Sequence, residues 1–247
     1  MEIVKETTQK VLPKKSDAIL TMSRYELKYI LNKEQVRYLK EGLEGHMKID
    51  QYGLTSIASL YYDTPDYQLI RKSIEKPPFK EKIRLRSYGL AKKDSKVFLE
   101  LKRKAYGIVY KRRVVTTEDA VNSFLDYHGE IAADGQIARE LVYFRDYYKD
   151  LIPACLIIYD REAYFEEDGD LRLTIDHNPR YRVTDLNLYT SMDGISLLSE
   201  GGAILEIKVQ GAMPLWLSSL LDKGKIYKGS FSKYGTAYKM QMEKVRR

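Results

Sequence analysis

One cysteine, one tryptophan and three histidines leave this 247-residue chain short of the residue types that build disulfide frameworks and transition-metal centres. Cys155 stands alone, so the chain has neither a disulfide framework nor a cysteine zinc site. Its neighbours, Ala154 and Leu156 to Ile158, mark it as a buried strand thiol. His46, His128 and His177 are isolated in turn-like contexts, which argues against a histidine metal centre. No run approaches the roughly 18 apolar residues of a membrane span. Residues 1–17 are polar and lysine-bearing, without the apolar stretch of a secretory signal, and a reducing cytoplasmic setting is the expectation. The glycine-rich phosphate loops are missing too. There is no Gly-x-x-x-x-Gly-Lys, no Gly-x-Gly-x-x-Gly and no Gly-x-Ser-x-Gly elbow. A phosphate bound by this chain must be held by side chains.

What is present is an ordinary globular composition, 44% hydrophobic and 31% charged, over a length ample for a real core. Tyrosine is plentiful, at 21 against six phenylalanines, as suits half-buried strands with hydroxyl-tipped aromatics. The net charge of +7 is unevenly placed. Between Arg71 and Arg113 there are 16 basic residues and four acids, a block of +12, while the remaining 204 residues sum to −5. Charge concentrated in this way points to an anionic partner.

Residues 1–20 read as a flexible arm and 21–247 as a single domain. Strand-like alternation begins at Arg24–Leu31, and Asn32 with Gln35 forms a capping-box signature for a helix ending near Gly42. Ser56–Tyr62 reads as a strand stopped by Asp63-Thr64-Pro65. Lys80–Tyr88, Lys96–Lys104 and Gly107–Thr116 form a meander. Helices are expected over Glu118–Tyr127 and Ile137–Tyr148, then strands over Ala154–Tyr164 and Leu171–Asp176 around an Asp168-Gly169-Asp170 turn. Arg180–Val183 and Ala203–Val209 are separate strand candidates, followed by helices from Pro214 and from Ser232. The class is α+β: a closed antiparallel barrel of about eight strands with inserted and C-terminal helices.

Residues two apart on a strand share a face. Lys82, Arg84 and Arg86 therefore lie together, as do Glu100, Lys102 and Lys104, and Glu26 with Lys28. Tyr159 and Arg161, Arg172 and Thr174, and Glu206 and Lys208 do the same. A Glu-apolar-Lys triplet occurs three times, at 26–28, 100–102 and 206–208. One such strand is common amphipathicity. Six of them, with cations in excess on the central strands, predict a charged interior that a polyanion and a divalent metal neutralise.

The segments RYELKYI, SLYYDT, KIRLRSY, VFLELKRK, YDREAYF, LRLTID, ILEIKV and SFSKYG run in order from Arg24 to Tyr238. In them the chain resembles the VTC (vacuolar transporter chaperone) domain, the polyphosphate polymerase branch of the triphosphate tunnel metalloenzymes, in its stand-alone prokaryotic form. The resemblance implies an eight-stranded tunnel that transfers the γ-phosphate of ATP, with Mn²⁺ or Mg²⁺ bound, to inorganic polyphosphate. It also implies catalytic lysines at Lys28, Lys102 and Lys233. Phosphate-binding residues fall at Arg84, Arg86, Tyr159, Arg161, Arg172 and Ser232, and the metal-holding glutamate at Glu206. The wider superfamily carries Glu-x-Glu-x-Lys on its first strand; here Arg24 replaces the first glutamate, which argues against a two-metal hydrolytic site.

The rival readings are a tripolyphosphatase or nucleoside triphosphatase on the same fold, and a polyphosphate-binding module without turnover. Nucleic acid is not the expected partner, because the basic residues sit on strands with few paired exposed aromatics. No membrane span is intrinsic to the chain, a membrane-protein partner remains compatible with it, and its oligomeric state is open.

Overall fold

The computed structural model describes residues 24–245 other than Gly107 and Asp134. The arm expected over residues 1–20 and the Arg24 side chain lie outside the described residues. The elements run β1 (Arg24–Leu31), α1 (Lys33–Leu43), β2 (Lys48–Ile49), β3 (Thr55–Asp63), α2 (Gln68–Ile74), β4 (Phe79–Tyr88), β5 (Val97–Ala105) and β6 (Ile108–Thr116). They continue as α3 (Glu118–Leu125), α4 (Gly135–Tyr148), β7 (Ile152–Phe165), β8 (Arg172–Arg182), β9 (Ile195–Ser196), β10 (Ala203–Gln210), α5 (Leu215–Lys223), β11 (Lys228–Gly229) and α6 (Lys233–Val245). Local chemistry sets several boundaries. Asn32 accepts from the Gln35 amide at 2.8 Å while Gln35 Oε1 accepts from the Asn32 amide at 3.1 Å, satisfying two orphan donors at the start of α1. Thr117 caps α3 by accepting from the Ala120 amide.

All strands join one antiparallel sheet in the order β11-β1-β10-β8-β7-β3-β4-β5-β6, with β2 added to β7 and β9 to β8. Eight of the strands are long, as expected, but the sheet is not closed. The outer edge of β1 pairs with β11, through Lys28 and Gly229 and through Tyr29 and Lys228, rather than with β6. The edge of β6 has no partner among the described residues. The sheet is nonetheless strongly curled. On a flat sheet Lys28 of β1 and Lys82 of β4 would sit about 24 Å apart, five strand spacings; instead the charge of Lys28 acts on Lys82. A second departure concerns β8. Asn178-Pro179 reads in the sequence as a break between two strands, yet one strand runs through it. Asn178 adopts φ 45°, and the two residues oppose Tyr159 alone as a bulge, shifting the register between Ile158 and Asp160.

One face of the sheet is dry. Leu60, Ile83, Leu85, Leu99 and Leu101 pack under Phe124 of α3 and Leu141 and Phe144 of α4. Leu31, Leu173, Ile175, Leu205 and Ile207 pack under Leu39 and Leu43 of α1 and Leu217 and Leu221 of α5. Each such side chain contributes on the order of 1.5–3 kcal/mol. The other face carries the charges over most of its width. Among the described residues its middle strands are covered, where Tyr234 and Ala237 of α6 and Ile70 of α2 pack on Ile57, Cys155, Ile157 and Tyr159. Burial of Cys155 pushes its thiol pKa up, as suits an inert core residue.

Asp63 fastens this arrangement. It is fully buried and accepts from the backbone amides of Thr64 (2.9 Å), Leu69 (2.8 Å) and Ile70 (3.0 Å), and from the Tyr234 hydroxyl (2.9 Å). One carboxylate thus starts α2 and holds the first turn of α6. Asp63→Ala leaves these donors without an acceptor and is expected to cost about 3 kcal/mol in urea denaturation, against about 1 kcal/mol for Tyr234→Phe. An Asp63→Ala midpoint equal to that of the wild type would show that the clamp holds nothing.

Candidate functional site

The alternation read from the sequence puts cations of β1, β4, β5, β7, β8 and β10 on one face, Lys111 and Arg113 of β6 join them, and three carboxylates organise the group. The first is Glu100, 1% exposed on β5. Its Oε2 takes Arg84 Nε and Nη2 at 2.8 and 2.7 Å, with Arg86 Nε at 3.7 Å. Its Oε1 takes Lys111 Nζ at 2.9 Å and Arg113 Nε and Nη2 at 2.8 and 2.5 Å. Burial opposes the charge of Glu100, but Arg84, Arg86 and Lys111 overcome it and hold the carboxyl far below its ordinary range. One buried carboxylate among four cations leaves a local excess of positive charge, which is the electrostatic requirement of an anion site.

The second is Asp176 on β8, also 1% exposed. The Arg161 guanidinium straddles its two oxygens at 2.6 and 2.9 Å, and Lys233, the first residue of α6, donates to Oδ2. Lys233 Nζ also lies 4.3 Å from the centre of the Tyr159 ring, and Arg161 5.1 Å from it. Arg86 Nη2 donates to the Tyr159 hydroxyl at 3.3 Å, which joins this group to the first. Burial raises the Asp176 pKa, but Lys233 and Arg161 bring it down to about 2.

The third is Glu206 on β10, with Lys208 at 3.0 Å on one oxygen and Lys28 at 3.5 Å on the other. Lys28 Nζ also lies 3.4 Å from Glu26. Against the desolvation penalty, Lys28 and Lys208 hold Glu206 at about 2. Thr174, its register partner on β8, has a buried Oγ1 with no hydrogen-bond partner among the described residues.

Between these groups stand Tyr61 and Lys82. Burial would raise the Tyr61 pKa, but Arg84, Lys82 and Arg86 pull it down to about 8, and Arg84 Nη1 donates to its hydroxyl at 2.9 Å. Lys82 is lowered to about 8 by burial first and by Lys80, Lys102 and Lys28 after it. Its ammonium donates to the Ser232 hydroxyl at 3.5 Å.

Of the residues singled out in the sequence, Arg84, Arg86, Tyr159, Arg161, Lys233, Ser232, Lys28 and Glu206 converge. Two stand apart. Arg172 is exposed and donates to the carbonyls of Glu166, Gly169 and Leu171, bracing the β7–β8 turn. Lys102 is exposed and forms no ion pair among the described residues. The sequence reading put Lys82 on the face of Arg84 and Arg86 without giving it a role, and it missed Glu100 and Asp176 as organisers, and with them Tyr61, Lys111 and Arg113. Strand alternation does place Glu100 on the cationic face. It cannot say that Lys102, its partner in the Glu-x-Lys triplet, makes no ion pair with it while four other cations converge on it.

The sequence profile of the VTC domain matches residues 23–242. No curated protein matches the chain. Among solved structures, a candidate adenylate cyclase from Bacillus halodurans is similar at 15% identity and a TM-score of 0.52, covering 84% of this chain and 92% of its own. HpAC1 from Hippeastrum, a candidate adenylyl cyclase described as having a dominant triphosphatase activity, is similar at 16% identity and a TM-score of 0.50, with 85% and 92% covered. At these identities the likeness is one of fold.

Tyr61 and Lys82 both have native pKa values below their unfolded ones, so the native state holds fewer protons between about pH 8 and pH 10. Their contribution to stability is in place above that window and is lost as pH falls through about 8. Tyrosinate absorbance is expected to show a titration near pH 8 that Tyr61→Phe removes and Lys82→Met moves back toward 10. A first tyrosine ionisation near 10 in the wild type would refute the assignment.

Proposed function

The chain belongs to the VTC domain family, and from that premise we propose that it is a polyphosphate polymerase, transferring the γ-phosphate of ATP to a growing polyphosphate chain. The observation that carries the reading is the set of three carboxylates on one face, Glu100 and Asp176 buried and Glu206 half-buried, each outnumbered by the cations it positions.

Phosphoryl transfer needs alignment and charge neutralisation more than covalent participation by the protein. A terminal oxygen of the polyphosphate attacks the γ-phosphorus, the bond to the bridging β–γ oxygen breaks, a new P–O–P linkage forms and ADP leaves. Arg84, Arg86 and Arg161 would clamp phosphate oxygens with guanidinium edges already oriented by Glu100 and Asp176. The Tyr159 hydroxyl and Ser232 Oγ would donate to the same oxygens, while Lys28, Lys102 and Lys233 would meet the transferred and acceptor phosphates. Arg172 joins them only by releasing the carbonyls of the β7–β8 turn.

The family implies a divalent cation, Mn²⁺ or Mg²⁺. Among the described residues no three His, Cys, Asp or Glu side chains could hold a metal together, so these residues form no complete cage. What it offers is an ionised Glu206 facing the unpartnered Thr174 Oγ1, hard oxygen donors suited to an ion that draws its other ligands from phosphates and water. Those residues fit. Glu206 would hold the ion, which supplies charge neutralisation at the phosphate oxygens.

A second reading, a triphosphatase, draws support from the activity in the description of HpAC1 and from the shared fold. It differs in one atom: water attacks in place of a chain oxygen, and orthophosphate leaves.

Purified protein with ATP and Mn²⁺ is expected to yield ADP and polyphosphate in matched amounts. Arg161→Ala and Glu206→Gln should each lower the rate by about 10²-fold or more. Orthophosphate without polyphosphate would favour the triphosphatase, and tight polyphosphate binding without ADP would identify a binding module.

A further inference from the structure

Beyond the rung formed by Arg84 and Glu100, the charged face of β4 and β5 changes character. The register sets Lys82 opposite Lys102 and Lys80 opposite Lys104, and Lys111 of β6 lies opposite Lys102. Like charges directly opposite on neighbouring strands are destabilising. Elsewhere on this face a carboxylate relieves them. Here none does: among the described residues Lys76, Lys80, Lys82, Lys102 and Lys104 form no ion pair. Lys80 has its pKa lowered by burial first, then by Lys104, Lys76 and Lys102, and its ammonium reaches only the Ser73 carbonyl, at 3.5 Å. Lys76 precedes β4 with φ 56°, and it and Lys104 are exposed where Lys82 is half-buried. The row therefore leads outward from the inner site.

We propose that Lys76, Lys80 and Lys104, continuing the rung of Lys82 and Lys102, form an outer track that holds a linear polyphosphate chain beyond the triphosphate site. This rests on the reading of the inner site given above. Same-face residues step by about 6.6 Å along a strand, so two rungs add about 13 Å of cationic surface in line with Arg84. The track is two strands wide, a single chain's breadth. The same-face positions of β4, β5 and β6 at these rungs are Lys80, Lys82, Lys102, Lys104, Val109 and Lys111, none of them an aromatic for a base to stack on, and Tyr61 beside Lys82 belongs to the inner rung of Arg84. A polyanion without bases fits it, and single-stranded nucleic acid does not.

The test compares sodium tripolyphosphate with long-chain inorganic polyphosphate on the full chain, wild type against Lys76→Gln/Lys80→Gln/Lys104→Gln. Long-chain affinity is expected to fall about tenfold, with a shallower salt dependence, while tripolyphosphate affinity stays within about twofold. Without polyanion, Lys80→Gln/Lys104→Gln should melt at the wild-type temperature or above it, because a like-charge pair is relieved. Equal losses for both probes, no loss for the long chain, or a loss confined to a single-stranded oligonucleotide would overturn the track. So would a lower melting temperature. A wild type that binds neither probe overturns the inner-site reading and the track together. One that binds both, with the long chain untouched by the triple variant, overturns the track alone.

Discussion

The charged face depends on one desolvated carboxylate. Glu100 lies almost wholly out of water, a position that costs several kcal/mol for an isolated ion and is tolerable because Arg84 and Arg86 of β4 and Lys111 and Arg113 of β6 meet it from the two flanking strands. The dependence is mutual. Four cations on adjacent strands would drive the β4–β5–β6 meander apart, and the carboxylate between them turns repulsion into a fixed geometry. Arg84 and Arg113 are each held by the Nε–Nη2 edge, with Nη1 on the other side, so the group is ordered before any anion arrives. Ordering in advance lowers the entropic cost of binding.

Asp176 and Glu206 repeat the device on the far side of the curl, with differences. Asp176 draws its second cation from α6, so the helix that packs on the sheet also contributes to the site through Lys233. Because Tyr234, the next residue, is bound to Asp63, the position of Lys233 is fixed by the same clamp that starts α2. Fold and site share a residue boundary there. Glu206 is the least crowded of the three, with two lysines at 3.0 and 3.5 Å, and point-charge ammonium groups leave more freely than forked guanidinium groups.

Much of this was legible in the sequence where the signal was local. The Asn32–Gln35 capping box, the alternation of Arg24–Leu31 and the meander from Lys80 to Thr116 each specify an element through near neighbours. Alternation also put Arg84, Arg86, Arg161 and Glu206 on a common face without any knowledge of the partners. What did not show was anything decided between distant strands. Closure of the sheet depends on which strand pairs with the free edge of β1, and that is β11, a two-residue strand with no pattern of its own. Arg172 has the right parity, but its reach is spent on carbonyls of its own turn. The convergence on Glu100 depends on side-chain direction across three strands, which spacing along one strand does not encode.

The bulge at Asn178-Pro179 acts on β8 as a reading frame acts on a message. In the register that holds from Leu156 to Ile158, Arg161 would stand opposite His177, and Asp176 would point into the dry face. The extra residue advances the frame by one, so Arg161 meets Asp176, and Thr174 and Arg172 fall into phase with Glu206 and Lys208. The proline and the left-handed asparagine that seemed to interrupt the strand are the punctuation that makes its N-terminal half intelligible to its neighbours.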